Sequence, residues 1–234
     1  MSTVFVVGIG YRPLPRRARA VLLESSCILA SERLLEVFRR YDEFDAVRDK
    51  VRVLSGVDET FSAAREVLGV TGGGLSVTIL GDGDPLFFGI GARVIEEFGR
   101  ESVEIIPDLS SVQVAFSRIG EPWGGALLMS LHRGPCPERR RRVEYEREEI
   151  PSLLLRHGRV AVLTDSENTP SMIARELVAS SELSSDRGEV SVHVCERLGY
   201  DDERITSGSP EEMAQKEFSL PNVVILIRTR RASR

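Results

Sequence analysis

Residues 75–89 read LSVTILGDGDPLFFG, and the stretch changes from a mostly apolar run to a small, acidic, turn-forming cluster. The run at 75–80 contains three adjacent β-branched side chains and predicts a buried strand at the centre of a parallel sheet. The glycines and the proline after it allow backbone conformations closed to other residues, so a ligand can approach main-chain groups there. In open α/β sheets, ligands bind just beyond the carboxyl ends of the strands. The alternative is an ordinary tight turn between a strand and a helix.

Length and composition restrict the class of protein. The chain has 234 residues, enough for one large domain or for two of about 110 residues each. Its net charge of −5 disfavours a general nucleic-acid binder. Cys27, Cys136 and Cys195 form no CxxC pair, so neither a disulfide framework nor a metal site is expected. We find no export signal and no apolar run approaching the roughly 18 residues of a membrane span, and therefore expect a reducing, cytoplasmic location.

The order of apolar runs indicates an α/β protein with two domains. Five strand-like runs fall within residues 1–119, and a helical pattern follows each of the first four, which predicts a parallel sheet. Residues 120–125 read GEPWGG, and this composition is typical of a linker. We therefore expect an N-terminal α/β domain over 1–119, a linker over 120–126 and a C-terminal α/β domain over 127–234.

Common catalytic signatures are absent from the sequence. It contains no GxSxG, GxxxxGK[ST] or HExxH pattern, and GIG at residues 8–10 lacks the third glycine of a dinucleotide fingerprint. Of the three histidines, His157 precedes a glycine and is expected to close a helix, and His193 alternates within a strand. His132 stands at a strand end beside Arg133 and is a candidate for lining the site.

Small residues recur in the loops at the predicted strand ends. Such loops suit a ligand held mainly by backbone groups, with few charged side chains at the reacting centre. A sulfonium methyl donor fits this pattern, because its methyl group is already activated and the protein need only position it and exclude water. Two simpler roles remain open: Ser110 and Ser111 could cap a helix, and Asp84 could hold its own turn.

Three segments resemble the tetrapyrrole (corrin/porphyrin) methylase family. They are GDGDPLFFGIG at residues 81–91, PDLSSVQ at 107–113 and SLHRG at 130–134. The resemblance covers nearly the whole chain. It implies a mostly parallel N-terminal sheet, a mixed C-terminal sheet, S-adenosylmethionine in the cleft between the two domains, and a homodimer.

The resemblance also implies an activity. The chain is similar to enzymes that use S-adenosylmethionine to methylate carbon 5 of a precorrin or cobalt-precorrin macrocycle in cobalamin biosynthesis, releasing S-adenosylhomocysteine. A decarboxylating carbon-15 methyltransferase is the implied functional partner, and no nucleic-acid or membrane partner is expected. The alternatives are a methyltransferase of the same fold acting on a uroporphyrinogen-type tetrapyrrole, on RNA or on a protein, and a non-catalytic nucleotide-sensing module.

Site residues follow from the same resemblance, position by position. The implied cofactor contacts are Tyr11, Asp82, Gly83, Asp84, Phe87, Ser110, Ser111, Thr164, Leu198 and Asn222. The macrocycle carries many carboxylates, so Arg12, Arg16 and Arg133 are candidates for binding it. His132 is the candidate to accept or relay the proton shed after methylation.

The chain departs from the family's usual pattern at two places. The family's first loop reads Gly-x-Gly-Pro-Gly, whereas residues 8–12 here read GIGYR. The family's usual Pro-Gly before the two serines is Pro107-Asp108 in this chain. Both departures lie in loops that the resemblance places at the cofactor, and both affect the path of the backbone in those loops.

Overall fold

The computed structural model describes residues 3–11, 13–69, 74–132, 143–185 and 188–229. The chain forms two compact units, Met1–Ser110 and Ser111–Arg234. The first boundary that we expected lies nine residues later, because the sequence analysis gave the helix Ser111–Ile119 to the first domain. In the structure this helix contacts the strand Asn222–Thr229 of the second unit.

The first unit contains a five-stranded sheet flanked by helices. Its strands are β1 Thr3–Ile9, β2 Cys27–Ala30, β3 Val51–Val53, β4 Ser76–Asp82 and β5 Val103–Ile106, and its helices are α1 Arg16–Glu24, α2 Glu32–Phe38, α3 Phe44–Val47, α4 Val57–Gly69 and α5 Gly91–Phe98. The strand order is β3-β2-β4-β1-β5, and every pairing is parallel. The predicted parallel sheet with the strand after residue 75 at its centre is confirmed.

Both faces of this sheet are covered. Alternate residues of β1, β2 and β4 pack with Phe61 and Ala64 of α4 and Val94 of α5 in one apolar cluster. On the opposite face, Ser25 follows α1, and its hydroxyl lies 2.6 Å from the hydroxyl of buried Thr78. Because parallel strands are buried on two sides, they appear in the sequence as continuous apolar runs.

The connections place β1 and β4 at a topological switch point. These two strands are neighbours in the sheet, but β1 leads across β4 to β2, whereas β4 leads across β1 to β5. Right-handed crossovers in opposite directions carry the following helices to opposite faces. The loops that leave β1 and β4 therefore diverge at the carboxyl edge of the sheet, where α/β proteins of this kind bind ligands.

The second unit has a mixed sheet. Its strands are β6 Leu127–Ser130, β7 Arg159–Leu163, β8 Glu189–Glu196, β9 Arg204–Gly208 and β10 Asn222–Thr229, and its helices are α6 Ser111–Ile119, α7 Ile150–His157, α8 Pro170–Ala179, α9 Ser181–Ser185 and α10 Pro210–Met213. In the order β6-β7-β10-β8-β9, the β6–β7 pair is parallel and the other pairs are antiparallel. The α/β fold class with a parallel and a mixed sheet is confirmed.

Helix ends in the second unit follow local sequence signals. The Thr169 side chain accepts the Met172 N–H at the start of α8, and α10 begins with the capping box between Ser209 and Glu212 that the sequence predicts. Helix α7 ends at His157, followed by a left-handed Gly158, as expected.

Two elements differ from the sequence prediction. The helix expected from residue 88 begins at Gly91, because the residues before it form a turn in which the Phe87 N–H donates to the Asp84 carbonyl. Strand β9 was not predicted, because it is an edge strand whose residues are partly or fully exposed and show no apolar run. In the parts of the chain that the structure describes, no helix is long and apolar enough to cross a membrane.

We predict that Gly8→Ala destabilises the protein. A Cβ atom at Gly8 would lie 1.8 Å from the Gly83 carbonyl oxygen, so the backbone of two strand ends would have to separate. We expect the free energy of unfolding to fall by about 2 kcal/mol, measured by urea denaturation. Gly56→Ala is the control, since a Cβ there meets nothing within 4 Å. A Gly8→Ala protein as stable as the wild type would contradict this account.

Candidate functional site

Three loops of the first unit meet at the carboxyl edge of its sheet. The Gly83 N–H, in the loop after β4, donates to the Ile9 carbonyl at the end of β1, over 2.9 Å. The Asp108 N–H, in the loop after β5, donates to the Gly83 carbonyl over 3.0 Å. Gly83 therefore joins the loops after the three neighbouring strands through its own main chain.

Two glycines make this approach possible. A Cβ at Gly8 would lie 2.7 Å from the Asp108 nitrogen in addition to its clash with Gly83. Gly83 has a φ of 47°, and a Cβ there would lie 2.6 Å from the Leu109 carbonyl oxygen. Side chains are thus excluded at the point where the loops converge, and the buried backbones of Gly8 and Gly83 pack directly against each other.

Tyr41 supports the first loop from a distance. Its hydroxyl oxygen accepts the Gly10 N–H over 2.8 Å, and its side chain is buried. Sequence reasoning missed Tyr41. It lies 31 residues beyond Gly10, past α2, and nothing local in the sequence marks it as part of the site.

The loop after β4 is held by Asp84. Its Oδ1 accepts the Leu86 N–H over 2.9 Å, so the turn-holding role considered above is observed. Its Oδ2 accepts no hydrogen bond from any residue that the structure describes. Phe87 lies edge-on to Phe88, with ring centroids 4.8 Å apart. The turn therefore presents a carboxylate oxygen and an aromatic pair beside the junction of the three loops.

Asp82 and the residues after the turn complete this loop. Exposed Asp82, the last residue of β4, forms an ion pair with Arg33 of α2. Gly89 and Gly91 both approach the Pro85 carbonyl so closely that a Cβ on either would lie within 3 Å of it. These contacts fix the turn that carries Asp84 and Phe87.

Asp108 is a second residue that sequence reasoning did not assign to the site. Its Oδ2 accepts the Tyr11 N–H over 2.9 Å, and its Oδ1 accepts the Leu109 N–H over 2.7 Å. Burial raises the pKa of this carboxyl group, and the two N–H donors oppose the rise. The signal in the sequence was the departure from the family's Pro-Gly at this position.

The predicted site residues of the first unit largely come together. Tyr11, Gly83 and Asp84 lie on the joined loops, and Ser110 is buried beside the Leu109 carbonyl that faces Gly83. Arg16 is exposed at the start of α1. Arg12 lies outside the described residues. Ser111 begins α6 and belongs to the second unit.

The second unit has its own polar sheet edge. Strands β6, β7 and β8 end there and antiparallel β10 begins there, as the pairs Ser130↔Leu163, Leu163↔Val223 and Glu196↔Asn222 show. Four predicted residues begin these strands or follow them within two residues: His132, Thr164, Leu198 and Asn222. The sheet register therefore gathers them at one edge.

Thr164 and Asn222 form a buried polar pair at this edge. The Thr164 hydroxyl donates to the Asn222 main-chain carbonyl over 3.1 Å and also lies within hydrogen-bond distance of its side-chain oxygen. The Asn222 amide donates to the Ser219 carbonyl over 2.9 Å. Both side chains are less than a tenth exposed. Their polar atoms are thus held in fixed positions.

His132, Leu198 and Asn168 flank this pair along the same edge. His132 is exposed, and its N–H donates to the Ser130 hydroxyl over 3.2 Å. Leu198 is buried. The Asn168 amide, which sequence reasoning missed, donates to the Leu131 carbonyl over 3.3 Å and so links the loop after β7 to the end of β6. Arg133 lies outside the described residues.

Burial shifts the pKa values of two cysteines and one histidine that were not predicted to belong to the site. Burial raises the pKa of the Cys195 thiol to about 12 and also raises that of Cys27. Burial lowers the pKa of His193, and both of its ring nitrogens lie within hydrogen-bond distance of serine hydroxyls. Among the described residues, no group of three or more His, Cys, Asp or Glu side chains could hold a metal ion.

The arrangement in the first unit fits S-adenosylmethionine as a cofactor. The glycine junction brings three loops together at the carboxyl edge of the parallel sheet, beside the topological switch point at which sheets of this kind bind nucleotides. Asp84 adds a carboxylate acceptor for a hydroxyl or an ammonium group. Tyr11, Gly83, Asp84 and Phe87 are the residues that would hold it.

Curated relatives share sequence with this chain. A cobalt-precorrin-7 C(5)-methyltransferase from Salmonella typhimurium is 35% identical over 150 residues, which is 64% of this chain and 65% of the relative. A decarboxylating precorrin-6Y C(5,15)-methyltransferase from Mycobacterium tuberculosis is 26% identical over 223 residues, 90% of this chain and 47% of the relative. The chain thus spans between about half and two thirds of the length of these relatives.

Solved structures share the fold, and a family model matches most of the chain. A precorrin-6Y methylase of cobalamin biosynthesis from Archaeoglobus fulgidus has a TM-score of 0.64 at 20% identity, with 99% of this chain and 98% of that chain covered. A uroporphyrin-III C-methyltransferase from Thermus thermophilus, complexed with S-adenosylhomocysteine, has a TM-score of 0.66 at 22% identity, with 96% and 91% covered. The model of the tetrapyrrole (corrin/porphyrin) methylases matches residues 3–214, and this chain belongs to that family.

Proposed function

We propose that the protein is an S-adenosylmethionine-dependent C-methyltransferase that acts on carbon 5 of a precorrin or cobalt-precorrin macrocycle in cobalamin biosynthesis. The observation that carries the proposal is the backbone junction that joins the loops after β1, β4 and β5 at the carboxyl edge of the parallel sheet, where α/β proteins bind ligands. The two curated relatives whose names specify methylation at carbon 5 support the substrate.

The residues of the first unit would promote methyl transfer by holding the two reactants in position. S-adenosylmethionine supplies a methyl group on a positively charged sulfur, which is already activated for transfer. The loops that carry Gly83 and Tyr11 would contact the ligand, while Asp84 and Phe87 would fix its polar and aromatic parts. Holding the reactants in line and excluding water lowers the barrier to methyl transfer itself.

Residues at the edge of the second sheet are proposed as additional cofactor contacts. The sequence pattern assigns this role to Thr164, Leu198 and Asn222, and to Ser111 at the start of α6. Support comes from the fixed orientation of the Thr164–Asn222 pair, since a rigid polar edge binds a ligand with little loss of side-chain entropy.

We predict that the protein binds S-adenosylhomocysteine and that Asp84→Asn weakens this binding. Isothermal titration calorimetry should give a micromolar Kd for the wild type. Asparagine keeps the Oδ1 bond to the Leu86 N–H but removes the charge and one acceptor, so we expect about tenfold weaker binding.

Asp49→Asn makes the same change at a fully exposed carboxylate and should bind like the wild type. Absence of binding beside tight binding of an adenine nucleotide would overturn the enzyme proposal in favour of a nucleotide-sensing module.

Cationic side chains are proposed to bind the carboxylates of the macrocycle. Arg16 is exposed and forms no ion pair with a residue in the described part of the chain, so its charge is available to an anionic ligand. For Arg12 and Arg133 the proposal rests on the sequence. We predict that Arg16→Ser weakens macrocycle binding about threefold at low salt, with the difference fading at high salt. Equal weakening by Arg48→Ser, at an exposed arginine that pairs with Asp49, would contradict a specific role.

His132 is proposed to accept or relay the proton released after methylation. His132 is exposed and lies two residues after β6, at the sheet edge where the other predicted residues of the second unit lie. We predict that His132→Ala lowers kcat about a hundredfold without changing S-adenosylhomocysteine binding, measured by mass spectrometry of the methylated macrocycle. His157→Ala, at the exposed end of α7, is the control. Unchanged turnover of His132→Ala at every pH tested would exclude this role.

The proposal also includes the oligomeric state of the protein and its functional partner. Family resemblance supports a homodimer, which light scattering would show as twice the 26.0 kDa mass of one chain. The name of the mycobacterial relative includes carbon 15 and decarboxylation, and the match covers 47% of that relative. We therefore propose a decarboxylating carbon-15 methyltransferase as the functional partner, which a coupled assay with both activities would test.

A further inference from the structure

We propose that Asp108 is a positioning residue for the cofactor, because its carboxylate holds the loop after β1 in the form that meets the ligand. The inference rests on the proposed function. It concerns a residue that lies at the meeting point of all three loops.

The main chain and the side chain of Asp108 make separate connections. Its N–H donates to the Gly83 carbonyl over 3.0 Å, so the loop after β4 fixes its backbone whatever its side chain does. Its Oδ2 then reaches the Tyr11 N–H over 2.9 Å. The side chain therefore transmits the position of the joined β4 and β5 loops to the loop after β1.

A purely local role does not account for this side chain. The bond from the Leu109 N–H to Oδ1 is local and would stabilise a turn by itself. The bond from Tyr11 joins residues 97 positions apart in the sequence. Moreover, the preceding N–H, that of Gly10, donates to the Tyr41 hydroxyl. Two successive N–H groups of the first loop are thus tied to side chains from two other elements, which sets the direction of its backbone.

The ionised form of Asp108 lowers the free energy of unfolding. Burial raises its pKa, so the folded state binds the proton more tightly than the unfolded state does, and protonation adds stability as the pH falls through the raised pKa. Among the described residues, the ionisable groups on the adjoining segments are Tyr11, whose N–H the Asp108 carboxylate accepts, Asp82 at the end of β4, which is paired with Arg33, and Asp84. The ionised carboxylate of Asp108 thus lowers the stability of the fold while it connects two loops. A residue with this combination is expected where it serves function rather than stability.

Asp108→Asn tests the proposal by separating binding from stability. Asparagine has one carbonyl oxygen and cannot accept both N–H groups, so we expect S-adenosylhomocysteine to bind about tenfold more weakly. The melting temperature should stay equal or rise, since the buried charge is removed. Wild-type affinity should begin to fall at a higher pH than that of Asp108→Asn, because only the wild type has the carboxyl group whose pKa burial raises. Asp49→Asn should retain the wild-type affinity and pH profile.

Hydrogen exchange at the Tyr11 amide gives a readout that needs no ligand. The amide should be protected in the wild type and exchange faster in Asp108→Asn. A variant that keeps this protection, or binds as tightly as the wild type with the same pH profile, would overturn the role of Asp108. So would a variant that loses binding and stability together. A wild-type protein with a protected Tyr11 amide that fails to bind S-adenosylhomocysteine would instead overturn the proposed function, and with it the ligand-related half of this inference.

Discussion

Contact between the backbones of Gly8 and Gly83 is the constraint on which the site depends. Strands β1 and β4 pair in parallel over seven residues, from Thr3↔Ser76 to Ile9↔Asp82, so their carboxyl ends arrive side by side. A single methyl group at Gly8 would prevent the next loop from closing over it. Because no side chain fits there, backbone contacts alone fix the loops that the proposed ligand would meet, and fixed loops favour catalysis by placement.

Features that depend on residues close together in the sequence could be predicted, and contacts between residues far apart in the sequence could not. Buried parallel strands were recognisable, since burial on both faces requires continuous apolar residues. Helix caps such as Thr169 were recognisable, because their partners lie three residues away. Tyr41 and Asp108 were not assigned to the site, because their partners lie 31 and 97 residues away and neither contact leaves a local pattern. The same holds for α6, whose place in the second unit depends on contact with β10.

The two departures from the family's sequence pattern are the two ends of one hydrogen bond. Tyr11 stands where the family's first loop has proline, and Asp108 stands where the family has glycine. Proline has no N–H to satisfy, and glycine has no side-chain acceptor. Tyrosine introduces a donor in a partly buried loop, and aspartate supplies its acceptor. Considered separately in the sequence, each departure weakened the match. In the structure they compensate each other, and the loop gains a contact that depends on charge.

The second unit reaches a similar result through strand direction. In an all-parallel sheet, the first residue of a strand lies at the edge opposite to the carboxyl ends of its neighbours. Strand β10 is antiparallel to both β7 and β8, so its first residue, Asn222, lies where those strands end. Thr164 and Asn222 can therefore bond directly, although they lie 58 residues apart. A mixed sheet thus allows strand beginnings as well as strand ends to contribute polar groups to one edge, which explains why the predicted residues of this unit include both.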